Sequence, residues 1–383
     1  MARANPPMWF SSLFQRFDWA LLAVVTLLLS IGVLALYSFS ETTAGNVYFG
    51  KQLLFTLIGV GGMFFVAALD YRHIARMSTL LYFVTLGVLL LVLLIGEPVR
   101  GTVGWLSFGG FQVQPVEFAK LILIIFLASF ISKKRSELGE WTRLIASLFL
   151  TAFMILLVLR QPDLGSSLVL MFIWGSMILV SGIRWKHALV LSLLGGVLLV
   201  GSWLLLADYQ KDRLQTFLNP ELDPRGAGYN VLQSMVAVGS GGFWGKGIGH
   251  GSQSQLNFLP EKHTDFIYAV ITEELGLFGG SLVLVLYALL LYRIERIAKT
   301  ARDNTGYLIA VGLLAYFFVQ ITINLGMNIG LLPVTGLPAP FLSYGGSSLL
   351  ASFLGLGILL SIYRFRQEEK NVLVNLENPG IRF

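Results

Sequence analysis

Three carboxylates, Asp265, Glu273 and Glu274, fall within the run LPEKHTDFIYAVITEELG, which opens an apolar stretch continuing past Gly280 to Tyr292. Acids in such a stretch are costly unless they are paired or used, which makes the segment a candidate for chemistry on a charged substrate; Glu273 and Glu274, deeper in the span, read mainly as structural or pairing groups. Asp265 comes first, at the mouth of the span. There the dipole of a helix N-terminus would favour its anion, able to take a proton or hold a cation; the alternative is a plain helix cap. Glu117 and Lys120 follow Pro115 at the start of another apolar run. Their spacing places them on one helix face within pairing reach, either as a structural ion pair or as an acid and a base opposite Asp265. Asp163, in RQPDLG, reads equally as an N-cap or a substrate contact.

Two further patterns carry polar groups. Glycines crowd the stretch from Gly226 to Gly251, with Lys246 among them. Backbone N–H groups at such density could cradle a diphosphate, or the stretch could be a compact loop on the membrane surface. It matches neither a Walker A loop nor a dinucleotide fingerprint. Within it, Asn230 to Val238 has the spacing of a short interfacial helix. Gln320, Asn324 and Asn328 recur at intervals of four, a stripe that hydrogen bonding between helices would explain. The histidines, His73, His187, His250 and His263, have no metal-ligand spacing.

The elements that hold these residues must be membrane helices. Hydrophobic residues make up 55% of the chain and charged ones 13%, about half of what a soluble domain carries. The expected fold is an all-α polytopic integral membrane protein of ten spans: 19–38, 52–69, 77–95, 115–132, 144–159, 164–183, 188–207, 266–292, 306–332 and 341–363. The first run is long enough to span and has no cleavage site of a signal peptide. With both termini in the cytoplasm, most of the 27 Lys and Arg residues fall on cytoplasmic segments. Membrane topology thus accounts for the net charge of +6 without nucleic acid. The polar, Gly- and Pro-rich stretches, 96–114, 160–163, 208–264 and 333–340, then lie outside, and so would the site. The organisation reads as a cytoplasmic segment 1–17, one membrane domain 18–366 with the large extracytoplasmic loop 208–264 between the seventh and eighth spans, and a cytoplasmic tail 367–383. Cysteine is absent, so thiol chemistry is excluded.

Four stretches also carry a resemblance that covers essentially the whole chain: GTVGWLSFGGFQVQPVEFAK, RQPDLGSS, GYNVLQSMVAVGSGGFWGKGIGHGSQSQLNFLPEKHTDFIYAVITEELG and GLLPVTGLPAPFLSYGGSS. The chain resembles the SEDS family (shape, elongation, division and sporulation), and GSQSQLNFLPEKHTDF is nearest to its elongation branch. The resemblance implies a peptidoglycan glycosyltransferase polymerising lipid II during cell-wall elongation, in the bacterial cytoplasmic membrane with its site facing the periplasm. It implies Asp265 as catalytic aspartate with Glu117 and Lys120 as further catalytic residues. Lys246, Arg100, Asp163, Ser343, Gly345 and Gly346 are the candidate substrate contacts. A divalent cation, Mg or Mn, would draw on Asp265 and Glu117; no organic cofactor is implied. The implied partners are a class B penicillin-binding protein and other membrane proteins of the elongation complex. Read from residues alone, a flippase or other carrier of lipid-linked substrates is the competing class, since intramembrane charges suit both.

Overall fold

The computed structural model describes residues 17–38, 43–99, 102–108, 111–133, 140–182, 211, 215–217, 226–256, 258–259 and 261–377. Its helices are α1 (Trp19–Tyr37), α2 (Thr43–Ala68), α3 (Tyr71–Arg76), α4 (Ser78–Ile95), α5 (Pro115–Lys133), α6 (Glu140–Arg160), α7 (Leu164–Val180), α8 (Ala227–Ser240), α9 (Ser252–Gln255), α10 (Ile267–Lys299), α11 (Asn304–Asn328) and α12 (Gly346–Glu377). Eight of these are long and apolar enough to cross a membrane, and α7 is a shorter apolar helix. They correspond to nine of the ten expected spans. The remaining one, 188–207, lies outside the described residues, as do Arg100 and most of 208–225.

Burial separates an inner set of helices from an outer one. In α5, α11 and α12 between 72% and 78% of the spanning window is buried, whereas α2 and α4 bury less than a third of theirs. Lipid is as good a solvent for Leu as another helix, so apolarity alone does not reveal this division. The inner helices are the ones carrying Glu117, Lys120, Gln320, Asn324 and Asn328, all buried.

Three features depart from a bundle of straight spans. Within the stretch expected as an outer loop lie three antiparallel strands, β1 (Glu97–Val99), β2 (Thr102–Phe108) and β3 (Phe111–Val113), in the order β1-β2-β3. Phe108 pairs with Phe111 and Leu106 with Val113.

The second is a break in α10 at Gly276, whose φ of 66° and ψ of −165° belong to a region open essentially to glycine. A Cβ on Gly280 would lie 2.5 Å from the Thr272 side chain and 3.1 Å from the Tyr268 hydroxyl. In a continuous helix residues 272 and 280 are about 12 Å apart along the axis, so α10 folds back on itself. The expected single span 266–292 is therefore two helices. The part from Leu277 to Lys299 is long enough to cross the hydrocarbon alone, and the part from Ile267 to Leu275 is buried against the bundle apart from half-buried Leu275.

The third is the segment from Pro333 to Gly345, which was expected as an outer loop up to Pro340 and as helix from Phe341. It is irregular, and Leu337, Ala339, Phe341, Leu342 and Ser343 are buried. It reaches into the bundle: the Tyr287 hydroxyl donates to Pro340 O at 2.8 Å, and a Cβ on Gly32, inside α1, would meet Leu342 O at 2.5 Å. Irregular backbone at membrane depth survives only where protein or a cavity surrounds it.

Candidate active site

Asp265 sits where the two interrupted segments meet. The N-cap of α10 is Phe266, so Asp265 lies one residue before the capping position that the bland reading gave it. Its carbonyl oxygen accepts from Asn324 Nδ2 at 3.1 Å and Asn328 Nδ2 at 2.9 Å. Asn328 Oδ1 accepts from Ala269 N at 3.0 Å, and Asn324 Nδ2 also donates to Leu337 O at 2.8 Å. The neighbouring carbonyls are held as well. Ser343 Oγ donates to Thr264 O, and Tyr344 N donates to His263 O at 2.9 Å. A Cβ on Gly336 would be 3.7 Å from Asp265 Oδ2, so the carboxylate points along the irregular segment. Two members of the polar stripe, Asn324 and Asn328, thus join α11 to the start of α10 and to the irregular segment, and what they hold is the backbone of the candidate base.

Glu117 and Lys120 form the expected pair, Nζ to Oε1 at 2.7 Å, with 1% and 0% of each residue exposed. They are sealed among α5, α11 and α12, and the hydroxyl of Tyr316 lies near Glu117, Ser352 and Gln320. Among the described residues, Glu117 Oε2 has no hydrogen-bond partner, nor does either amide atom of Gln320. Gln320 is one helical turn from Asn324 on the same face of α11.

The glycine-rich loop packs into the break of α10. Lys246 N donates to Glu273 O and Gly247 N to Glu274 O, both at 3.0 Å, while Leu277 N donates to Gly242 O at 2.9 Å. A Cβ on Gly276 would come within 2.3 Å of Gly245 N, so glycine is needed for contact as well as for its dihedral angles. Lys246 Nζ lies 2.8 Å from Glu273 Oε1, which also accepts from Gln253 N at 2.9 Å. Glu273 Oε2 accepts from Ser254 N at 3.1 Å. Lys246, a candidate diphosphate ligand, is thus an ion-pair partner, and Glu273 fastens the start of α9. Glu274 faces Ser38, Gly249 and Gln255. Nearby, burial pulls the Lys262 ammonium below its ordinary pKa, opposed by the charge of Glu274.

Asp163 is the N-cap of α7. Its Oδ1 accepts from Ser166 N at 2.8 Å, and Oδ2 from Gln114 Nε2 at 3.4 Å. Gln114 in turn precedes α5, so this cap ties the starts of α5 and α7 together. Gly345 and Gly346 line a cavity of about 410 Å³ that also touches Lys51, Trp105, Thr264 and Phe111. In its wall Tyr48 stacks on His263 at 4.2 Å and meets Tyr344 edge-on at 5.0 Å. Thr264 brings the cavity next to Asp265 in sequence. Among the described residues no group of three His, Asp or Glu side chains comes together that could hold a metal. A cation on Asp265 would complete its shell from water and substrate oxygens.

The family model for cell cycle proteins of the FtsW, RodA and SpoVE type matches residues 15–368. The chain belongs to this family. It is 41% identical over 357 residues to stage V sporulation protein E of Bacillus subtilis, covering 91% of this chain and 97% of that one. To peptidoglycan glycosyltransferase MrdB of Escherichia coli K12 it is 38% identical over 351 residues, covering 91% and 94%. Among solved structures it superposes on RodA of Thermus thermophilus with a TM-score of 0.69 at 30% identity, covering 91% and 97%. It superposes with a TM-score of 0.77 at 31% identity, covering 91% and 98%, on a chain of a peptidoglycan synthase complex described for its coordination of polymerization and crosslinking.

Within this FtsW/RodA/SpoVE fold, no spacing in the sequence singles out the cavity residues Tyr48, Lys51, His263 and Tyr344 as a group. The available signal was position: His263 is two residues before Asp265, and Tyr344 stands inside the motif that supplies Ser343 and Gly345. Ser343 itself, a candidate substrate contact, is buried, and its hydroxyl links Thr264 O to Ala339 N.

Proposed function

We propose that Asp265 is the general base of a peptidoglycan glycosyltransferase that polymerises lipid II at the outer face of the cytoplasmic membrane. The activity class follows from family membership together with relatives named peptidoglycan glycosyltransferase. The single observation that supports the base is the clamp on its backbone. Asn324, Asn328 and Ser343 fix residues 264 and 265 where two broken segments meet inside the bundle, beside a cavity rich in aromatic rings. Pre-organisation of that kind suits a group that must meet a sugar hydroxyl in one geometry.

In the reaction the Asp265 carboxylate takes the proton of the acceptor 4-hydroxyl while that oxygen attacks the anomeric carbon of the donor. The bond from that carbon to the diphosphate oxygen breaks, the configuration inverts, and the polyprenyl diphosphate departs with the bonding electrons. General-base assistance contributes about 10² to 10⁴-fold. The Glu117–Lys120 pair acts from behind α11 rather than as an open phosphate ligand. The elongation role rests on the wording of GSQSQLNFLPEKHTDF, and a class B penicillin-binding protein and other membrane proteins of the elongation complex are the partners proposed with it.

The test is Asp265→Asn, assayed on purified lipid II in detergent, where polymerisation needs no flipping. We expect normal insertion and thermal unfolding with glycan synthesis reduced at least about 100-fold. Strands formed at the wild-type rate would refute the base. A wild-type protein inert in detergent yet moving lipid II across vesicles would instead favour the transporter.

A further inference from the structure

At the opposite end of α10 from the break, α1, α10 and α12 enclose a cavity of about 180 Å³. Asp18, Arg293, Arg296, Thr300, Tyr363 and Arg366 line it. Asp18 is consumed: it caps α1 through Leu21 N at 3.0 Å, and both its oxygens lie 2.6 Å from Arg293 NH2. One acid therefore answers one of three guanidinium groups. Arg296 and Arg366 lie over aromatic rings, Tyr292 at 5.9 Å and Tyr363 at 5.1 Å, and neither makes an ion pair among the described residues. Glu295, next to Arg296, is turned to Lys299.

The depth of the cavity narrows its occupant. Trp19 is 53% exposed and Tyr292 51% exposed, each at the margin of its span. Amphipathic rings in such positions mark the level of lipid headgroups, and the three arginines stand at that level. A planar fork of N–H donors matches phosphate oxygens, and an unpaired guanidinium is more weakly hydrated than an ammonium, so it gives up water readily. The Thr300 hydroxyl donates to Arg296 O at 2.7 Å, so the donors left for a phosphate are the two arginines.

We propose that this cavity is a phosphate-binding site for the headgroup of an anionic phospholipid, held by Arg296 and Arg366 with Arg293 fixed behind them by Asp18. The same chemistry would accept soluble phosphate, but the exposed rings of Trp19 and Tyr292 beside the cavity favour a phosphate anchored in the bilayer. Basic pockets between membrane helices commonly hold such headgroups. The site is at the far end of the bundle from Asp265 and does not depend on its assignment.

The experiment uses full-length protein in detergent with phosphatidylglycerol, phosphatidylcholine or inorganic phosphate added. Retained lipid is read by native mass spectrometry and stability by thermal unfolding. The wild type should retain phosphatidylglycerol over phosphatidylcholine and be stabilised by it. The double variant Arg296→Gln/Arg366→Gln should bind it about tenfold more weakly while keeping its unliganded stability and glycan synthesis. Stabilisation by inorganic phosphate that the double variant loses, without lipid retention, would keep the phosphate site and overturn the lipid source. Equal retention of phosphatidylglycerol by wild type and double variant would overturn the site. If the double variant fails to purify, Arg366→Gln alone is read against the same outcomes.

Discussion

Lys246 and Lys120 are cations that a site transferring sugars from a diphosphate would be expected to offer, and both are already paired. For Lys246 the pairing decides what its removal does. Glu273 is fully buried and keeps only hydroxyl and backbone donors once the ammonium is gone, whereas Lys246 is 28% exposed on its side chain and returns easily to water. A hydrogen bond to a charged group contributes about 1.5–3 kcal/mol. Lys246→Met should therefore destabilise the protein by about 2 kcal/mol, and adding Glu273→Gln should recover part of that loss. Its KM for lipid II should not move. Thermal unfolding of the single and double variants, with KM measured beside them, checks this. A raised KM at unchanged stability would restore Lys246 as a substrate ligand. Spacing identified the Glu117–Lys120 pair because i, i+3 neighbours meet on any helix. It could not identify Lys246–Glu273, whose partners are 27 residues apart and meet only because the loop enters the break of α10.

That break belongs to the scale of elements, and the glycine responsible was hidden in plain sight. A single glycine in an apolar run usually costs a helix only about 1 kcal/mol and leaves it intact. Gly276 differs because its dihedral angles and its contact with Gly245 both exclude a side chain. Neither condition is visible without the partner loop. The sheet from Glu97 to Val113 has a signal in the sequence: TVGWLSF and FQV flank Gly109-Gly110, the pattern of a hairpin. Pro333 to Gly345 misled for a different reason. Proline and glycine mark irregular backbone correctly, but irregular backbone in a membrane protein is not confined to the outside when helices bury it. For Gly276→Ala, the methyl group would meet backbone atoms within 2.3 to 2.7 Å and enter a forbidden dihedral region. The loss should exceed about 2 kcal/mol, and the displaced half-helix should carry Asp265 out of register. Glycan synthesis should then fall together with the unfolding temperature. Retention of both would mean that the break is set by the loop rather than by glycine.

For the whole molecule, composition and hydropathy made the membrane class and nine spans legible, because every backbone group in lipid must pair within its own segment. The side of the membrane is a separate inference from charge. The helix ends carrying Arg72, Arg76, Arg293, Arg296, Arg364 and Arg366 gather at one end of the bundle, while the sheet, α9 and the glycine-rich loop gather at the other. Basic residues are retained inside, so the expected orientation has the first end in the cytoplasm and the cavity beside Thr264 toward the exterior. Because the chain has no cysteine, single cysteines report accessibility without a background. Trp244, 79% exposed in the loop, and Lys299, with 68% of its side chain exposed at the end of α10, are suitable positions. In intact cells a membrane-impermeant maleimide should label Trp244→Cys and should reach Lys299→Cys only after the membrane is opened. Labelling of Lys299→Cys from outside would invert the topology, and it would place the aromatic cavity where no lipid-linked sugar awaiting polymerisation on the outer face could reach it.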